Sequence, residues 1–226
     1  MKKFELTGEF IIDIFGNKLF RIRALIDFGS VKNGELGGYV EKESNLSQSG
    51  NAWVSGDALI SGNARVYGDA LISGDARVYG NARVYGNALI SGDAWVSGNA
   101  RVYGNALISG DAWVSGNALI SGDAWVSGDA WVSGNARVSG DALISGDADY
   151  TTIKGFGTNF RNTTFFRCKD NKIRVVCGYF FGTISEFREH VKKIRTGKIT
   201  EEYLMIADLM ELHFSYEKEK EGKENE

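Results

Sequence analysis

Arginine at positions 65, 83 and 101 and tyrosine at 67, 85 and 103 recur every eighteen residues, and tryptophan does the same at 95, 113 and 131. Guanidinium groups fork onto phosphates and carboxylates, and phenol rings beside them add stacking and hydrogen bonds. A column of Arg65, Arg83 and Arg101 with Tyr67, Tyr85 and Tyr103 would therefore suit an anion. A column of Trp95, Trp113 and Trp131 would give an apolar strip that a monomer seldom leaves bare. Both columns require a backbone that returns to the same place once per eighteen residues.

The residues between them supply it. Residues 51–68 read NAWVSG DALISG NARVYG, and sixteen such six-residue words fill 51–146. Each is Asn or Asp, Ala, a variable letter, Val or Ile, Ser or Tyr, Gly. The alternation has the two-residue period of a strand, with Ala and Val/Ile on one side and the variable letter and Ser/Tyr on the other. Gly followed by Asn or Asp then turns the chain. A strand this short buries its apolar side only by stacking on others, as in a parallel β-helix. The corner letters count the words per coil. Asp57, Asp75, Asp93, Asp111, Asp129 and Asp147 form one set, and Asn63, Asn81, Asn99, Asn117 and Asn135 another. The third corner is mixed, from Asn51 through Asp69 to Asp141. Three words per coil predict three outer faces, with coils about 4.8 Å apart. One carries Arg65, Arg83, Arg101, Leu119 and Arg137, and a second Leu59, Arg77, Trp95, Trp113 and Trp131. The third is apolar, with Trp53, Leu71, Leu89, Leu107, Trp125 and Leu143. That apolar face is expected to join copies of the chain into a homo-oligomer. The Trp and Arg/Tyr columns are expected to bind a partner, with packing by the terminal segments as the other cover for the tryptophans.

An aliphatic residue followed four places later by a small one, as in Val54 and Ala58, resembles the frame of the hexapeptide-repeat superfamily. The resemblance covers about residues 44–150 and implies a left-handed parallel β-helix. The segment RALIDFGSVKNGELGGYVEKESNLSQSGNAWV is similar to bacterial proteins described as transferases of that superfamily. The stretch TTFFRCKDNKIRVVCGYFFGTISEF resembles the tail attached to such repeats in phage and prophage proteins of Gram-positive bacteria. Enzymes of the superfamily imply a histidine general base, on or near the coils, beside a cleft between subunits with acyl-CoA along the prism. Here His190 and His213 both lie beyond the coils, and no inserted loop interrupts the words to shape a pocket. The expectation is a non-enzymatic binding or scaffold protein, phage or prophage encoded, with no catalytic residue and no cofactor. Its expected partner is a host protein or a small anionic ligand. An acyl-CoA-dependent acyltransferase is the alternative.

Composition agrees with a folded repeat: Gly is 29 of 226 residues and Pro is absent. A net charge of −3 argues against nucleic acid as the partner of the whole chain. No apolar run approaches a membrane span, and MKKFELTGEF lacks a signal-peptide core, so a cytoplasmic location is expected. Cys168 and Cys177 have no second CxxC or adjacent His and read as free thiols without a metal. Residues 3–27 alternate around Phe15-Gly16-Asn17-Lys18 as a hairpin that caps the open first coil. TTFFRC and KIRVVC flank Asp170-Asn171 as a second hairpin. Thr183 and Glu186 form a capping box for a helix of about 184–195, and a further helix runs from Thr200 to about 215. The expected organisation is a β cap and first coil (1–49), a β-helix (50–148), an α+β module (149–216) and an unstructured tail (217–226).

Overall fold

The computed structural model describes residues 2–223, with side chains described as far as Ser215. The sixteen words each contribute a two-residue strand, and strands eighteen residues apart pair in parallel, as Leu89 pairs with Leu71 and Leu107. Most words before the last coil pass three backbone hydrogen bonds to the next coil, two from the strand and one from the corner that follows it. In one example Trp95 N–H donates to Ala112 O at 2.9 Å, Ser97 N–H to Val114 O at 2.9 Å and Asn99 N–H to Gly116 O at 2.7 Å. The third bond lies in the corner, so the ladder continues around the bend. This closeness explains the corner glycine. Gly98 has φ of 65°, and a Cβ there would lie 2.8 Å from the Gly116 carbonyl oxygen.

The Ala and Val/Ile letters of all sixteen words are buried and form one continuous core. The result is a parallel β-solenoid with three sheets. The Leu face has six strands, from Trp53–Val54 to Leu143–Ile144, and the Arg/Tyr face five, from Arg65–Val66 to Arg137–Val138. The Trp face begins with three longer strands, β1 (Phe4–Ile12), β2 (Lys18–Ala24) and β3 (Leu36–Val40), and continues from Leu59–Ile60 to Trp131–Val132.

Two corner columns carry amide ladders. Asn63, Asn81, Asn99, Asn117 and Asn135 donate from each Nδ2 to the next Oδ1 at 3.1 to 3.3 Å. In the mixed corner, Asn51 donates to Asp69, and Asn87 to Asn105 to Asp123. A carboxylate accepts but cannot donate, so each run ends where Asp replaces Asn.

The expected hairpin is β1 paired antiparallel with β2, and β3 links it to the coils. Tyr39 and Val40 pair with Leu59 and Ile60, and Leu46 bridges Val66, a separation of twenty residues instead of eighteen. Two extra residues thus enter the first coil after Leu46, at a corner where Gln48 clamps the N-terminus. The Gln48 side chain accepts from Lys3 N–H at 2.7 Å and donates to Phe4 O at 3.1 Å. Lys3 follows it inward to 2% exposure, donating to Ala52 O at 2.7 Å beneath the Phe28 ring.

At the other end, four antiparallel strands (Tyr150–Phe156, Arg161–Arg167, Ile173–Cys177 and Phe180–Thr183) form a separate sheet. Its middle pair is the expected second hairpin, turned by Asn171 at φ 58°. Phe166, Cys168 and Val176 complete the solenoid core over the last coil. Helix α1 (Ile184–Ile194) starts on the Thr183–Glu186 capping box, and α2 (Lys198–Lys223) packs beside it through Tyr203, Ile206 and Met210. The expected end of α2 near 215 is corrected: the helix takes in residues 217–223 of the stretch read as a tail. The remainder of that stretch, 224–226, lies outside the described residues.

Candidate functional site

Tyr67, Tyr85 and Tyr103 form a stacked ladder, with centroids 4.8 and 4.9 Å apart and planes within 4° of parallel. The solenoid register sets this spacing, since Tyr67 N–H donates to Val84 O and Tyr85 N–H to Val102 O. Burial between its two neighbours pushes the Tyr85 hydroxyl above the usual phenol range. Arg65, Arg83 and Arg101 pair strand to strand beside the ladder and are exposed. Among the described residues they form no salt bridge. The arrangement is a cationic strip on a regular backbone with a planar aromatic edge.

The ladder has three rungs because serine stands at both ends. Ser121 follows Tyr103. Before Tyr67 comes Ser47, whose N–H donates to Val66 O at 2.9 Å as Tyr67 N–H does to Val84 O. The missing ring leaves a cleft of about 750 Å³ lined by Glu43, Ser47, Gln48, Arg65, Tyr67 and Arg83. Glu43 is already engaged there, by Lys2 at 2.8 Å and by Gln48 Nε2 at 2.9 Å, and the lysine holds its carboxyl below the usual range. A second cleft of about 490 Å³ flanks the same two arginines, with Lys42, Asn63 and Asn81 in its wall.

The three tryptophans of the second column also align, Trp95 with Trp113 and Trp113 with Trp131. Trp113 and Trp131 stack at 5.2 Å, whereas Trp95 meets Trp113 edge-on at 5.7 Å. Trp95 is half-buried: Arg77 lies over its ring at 4.9 Å, and Tyr79 packs on its edge under Phe15 from the β1–β2 turn. The column is thus covered at one end by the cap and opens toward Trp131. Spacing alone did not reveal how the tryptophans rest. Trp131 Nε1 donates to Ser115 Oγ and Trp125 Nε1 to Ser109 Oγ, each sixteen residues back. A third letter therefore leans on the fifth letter of the coil before it, and the small Ser in those words was the available signal.

On the Leu face the expectation for Trp53 is corrected. It is 3% exposed, edge-on to Phe28 at 5.4 Å, because the β2–β3 connection folds over it and the side-chain-free backbone at Gly37 comes against the indole. Trp53 is an internal core residue and unavailable to a second chain. Leu71, Leu89 and Trp125 are exposed, while Leu107 and Leu143 are half-buried.

His190 and His213 lie on α1 and α2, against Phe180 at 4.8 Å and Phe214 at 5.0 Å. Cys168 is buried, its thiol pushed up to about 12 by burial and by Asp141. Cys177 accepts from Thr163 Oγ1 at 3.2 Å. Among the described residues no group of His, Cys, Asp and Glu is placed to hold a metal ion, and no helix is long and apolar enough to cross a membrane.

Five segments, residues 58–74, 82–98, 100–116, 112–128 and 130–146, match the family model described as YdcK Beta solenoid repeat. No curated protein matches the chain. All five segments fall within the stacked words, so repeat sequence and backbone agree: this is a repeat β-helix protein whose coils are similar to the YdcK β-solenoid repeat.

Proposed function

We propose that the protein is a non-enzymatic binding scaffold, phage or prophage encoded and cytoplasmic, that captures a host protein or a small anionic ligand. The observation carrying this reading is the tyrosine ladder in register with three arginines that form no ion pair among the described residues. Such a strip presents a planar surface already ordered by stacking, and the solenoid fixes the spacing of the arginine backbones, which lowers the ordering cost of binding. The open end of the Trp column, Trp113 and Trp131, lies on the neighbouring face and adds apolar area of the kind that dominates binding energy. Copies of the chain associate through Leu71, Leu89, Leu107, Trp125 and Leu143, which leaves the Arg/Tyr and Trp faces free.

The test is capture from host extract followed by Arg83→Ala and Trp113→Ala variants of unchanged circular dichroism. Both variants are expected to lose the partner, whereas His190→Ala and His213→Ala keep it. Turnover of an acyl-CoA donor that disappears with either histidine would overturn the reading.

A further inference from the structure

The tyrosine ladder stops one rung short of the cap, and the vacancy has the shape and charge of a ligand site. Inside the ladder no planar molecule can enter, because 4.8 and 4.9 Å between parallel rings leave no room for a third. At the Ser47 end Tyr67 has a neighbour on one side only. The cleft there is bounded by the Ser47–Gln48 corner, Arg65 and Arg83. Its single acid, Glu43, is neutralised by Lys2. Across the Arg65–Arg83 ridge the second cleft adds Lys42, whose Nζ, among the described residues, donates to the neutral Asn63 amide at 3.2 Å and forms no salt bridge. A flat ring stacking on Tyr67 would therefore sit beside two guanidiniums and, beyond them, an ammonium.

The geometry points to a nucleoside polyphosphate as the ligand, its base continuing the ladder on Tyr67 and its phosphates lying over Arg65, Arg83 and Lys42. A base supplies the aromatic face, and guanidiniums match phosphate oxygens bidentately. Tyr67 offers this cleft one open face, so one base is accommodated there, while the other terminal ring, Tyr103, faces Ser121 where Leu119 replaces the next arginine; this favours a mononucleotide over a single strand, which would need several. The two-residue enlargement after Leu46 shapes the site, because it sets Ser47 at the rung before Tyr67 and brings Gln48 into the wall. This assignment rests on the Arg/Tyr strip being the binding surface, and it adds the ligand and its orientation.

The test is titration calorimetry of the full chain with ADP, GDP, adenosine, pyrophosphate and a ten-residue oligothymidylate. ADP or GDP is expected to bind with a Kd below about 1 mM, and adenosine and pyrophosphate each at least about tenfold more weakly. Ser47→Tyr, which adds the missing rung, is expected to abolish nucleotide binding. Tyr67→Ser, which removes the platform, and Lys42→Ala should each weaken it about tenfold. Lys192→Ala on α1 serves as a charge-matched control with no effect. Pyrophosphate binding as tightly as ADP, oligothymidylate binding more tightly than either nucleotide, or indifference to both Ser47→Tyr and Tyr67→Ser would overturn the assignment. Absence of nucleotide binding alongside Arg83-dependent capture of a host protein would overturn it while leaving the scaffold reading intact.

Discussion

Phe15, at the turn between β1 and β2, lies 5.2 Å from the ring of Tyr79 on the solenoid wall. Tyr79 in turn meets Trp95 edge-on at 5.9 Å. One exposed phenylalanine in the cap is thus joined through Tyr79 to the start of the Trp column. Phe15→Ser is expected to raise the oxidation rate of Trp95 in hydroxyl-radical footprinting while leaving Trp131 unchanged. Thermal stability should fall by less than about 1 kcal/mol, since Phe15 is itself exposed. Equal Trp95 reactivity in both proteins would show that the hairpin does not shield the column.

The inside and outside of each word should respond very differently to charge. Val96 is fully buried among the stacked alanines and valines, and Val96→Asp would place a carboxylate there without a partner. A loss on the order of several kcal/mol is expected. Arg101, on the outer side of its strand, should tolerate Ser within about 0.5 kcal/mol. Denaturant titration of both variants decides this, and a melting temperature for Val96→Asp equal to that of the parent would contradict the core assignment.

Association through the Leu face can be separated from folding. Leu71→Lys, Leu89→Lys and Leu107→Lys together should give a smaller species in light scattering while the β signal in circular dichroism persists. Trp53→Phe, by contrast, should alter stability and leave the oligomeric state alone, because its indole is covered within the chain. A parent protein that is monomeric at micromolar concentration would refute the association.

Lys3 gives the N-terminal cap a pH response. Burial lowers its ammonium pKa to about 8, with Asp69 opposing the shift. Between pH 8 and the ordinary lysine value the unfolded chain binds the proton that the folded chain has released. Stability from this group therefore rises with pH across that window. The buried Cys168 and Tyr203 hold their protons to higher pH than usual and push the other way. The Lys3 contribution is read as a difference. Relative to Lys3→Met, the parent should gain stability from pH 8 to 10, and a constant difference would remove the effect.

The solenoid was legible because its rules are local and repeated. Ala and Val/Ile mark the core, Gly the corner, and the Asp and Asn sets the eighteen-residue return. The columns followed directly. What remained hidden depends on contacts between segments far apart in sequence. Trp53 sits in a word that differs from that of Trp113 only in its first letter, Asn for Asp, but lies under the β2–β3 connection. What lines the rung before Tyr67 was hidden too: counting back eighteen residues lands on Ser49, whereas the enlarged corner brings Ser47 into line and Gln48 into the wall. The end of α2 was missed because a mixed-charge run reads alike as a solvated helix and as a tail.

The uniform frame makes each coil between the caps interchangeable in its core, so the backbone has no internal means of telling one turn from the next. Identity is written only at the two ends, by the Gln48 clamp and enlarged corner at one and the Phe166, Cys168 and Val176 plug at the other. The molecule is in effect a ruler graduated in steps of about 4.8 Å. Gain or loss of eighteen residues would move the cationic cleft and the C-terminal sheet apart or together by one graduation without remodelling either. Distance between the two ends is thus stored as a whole number.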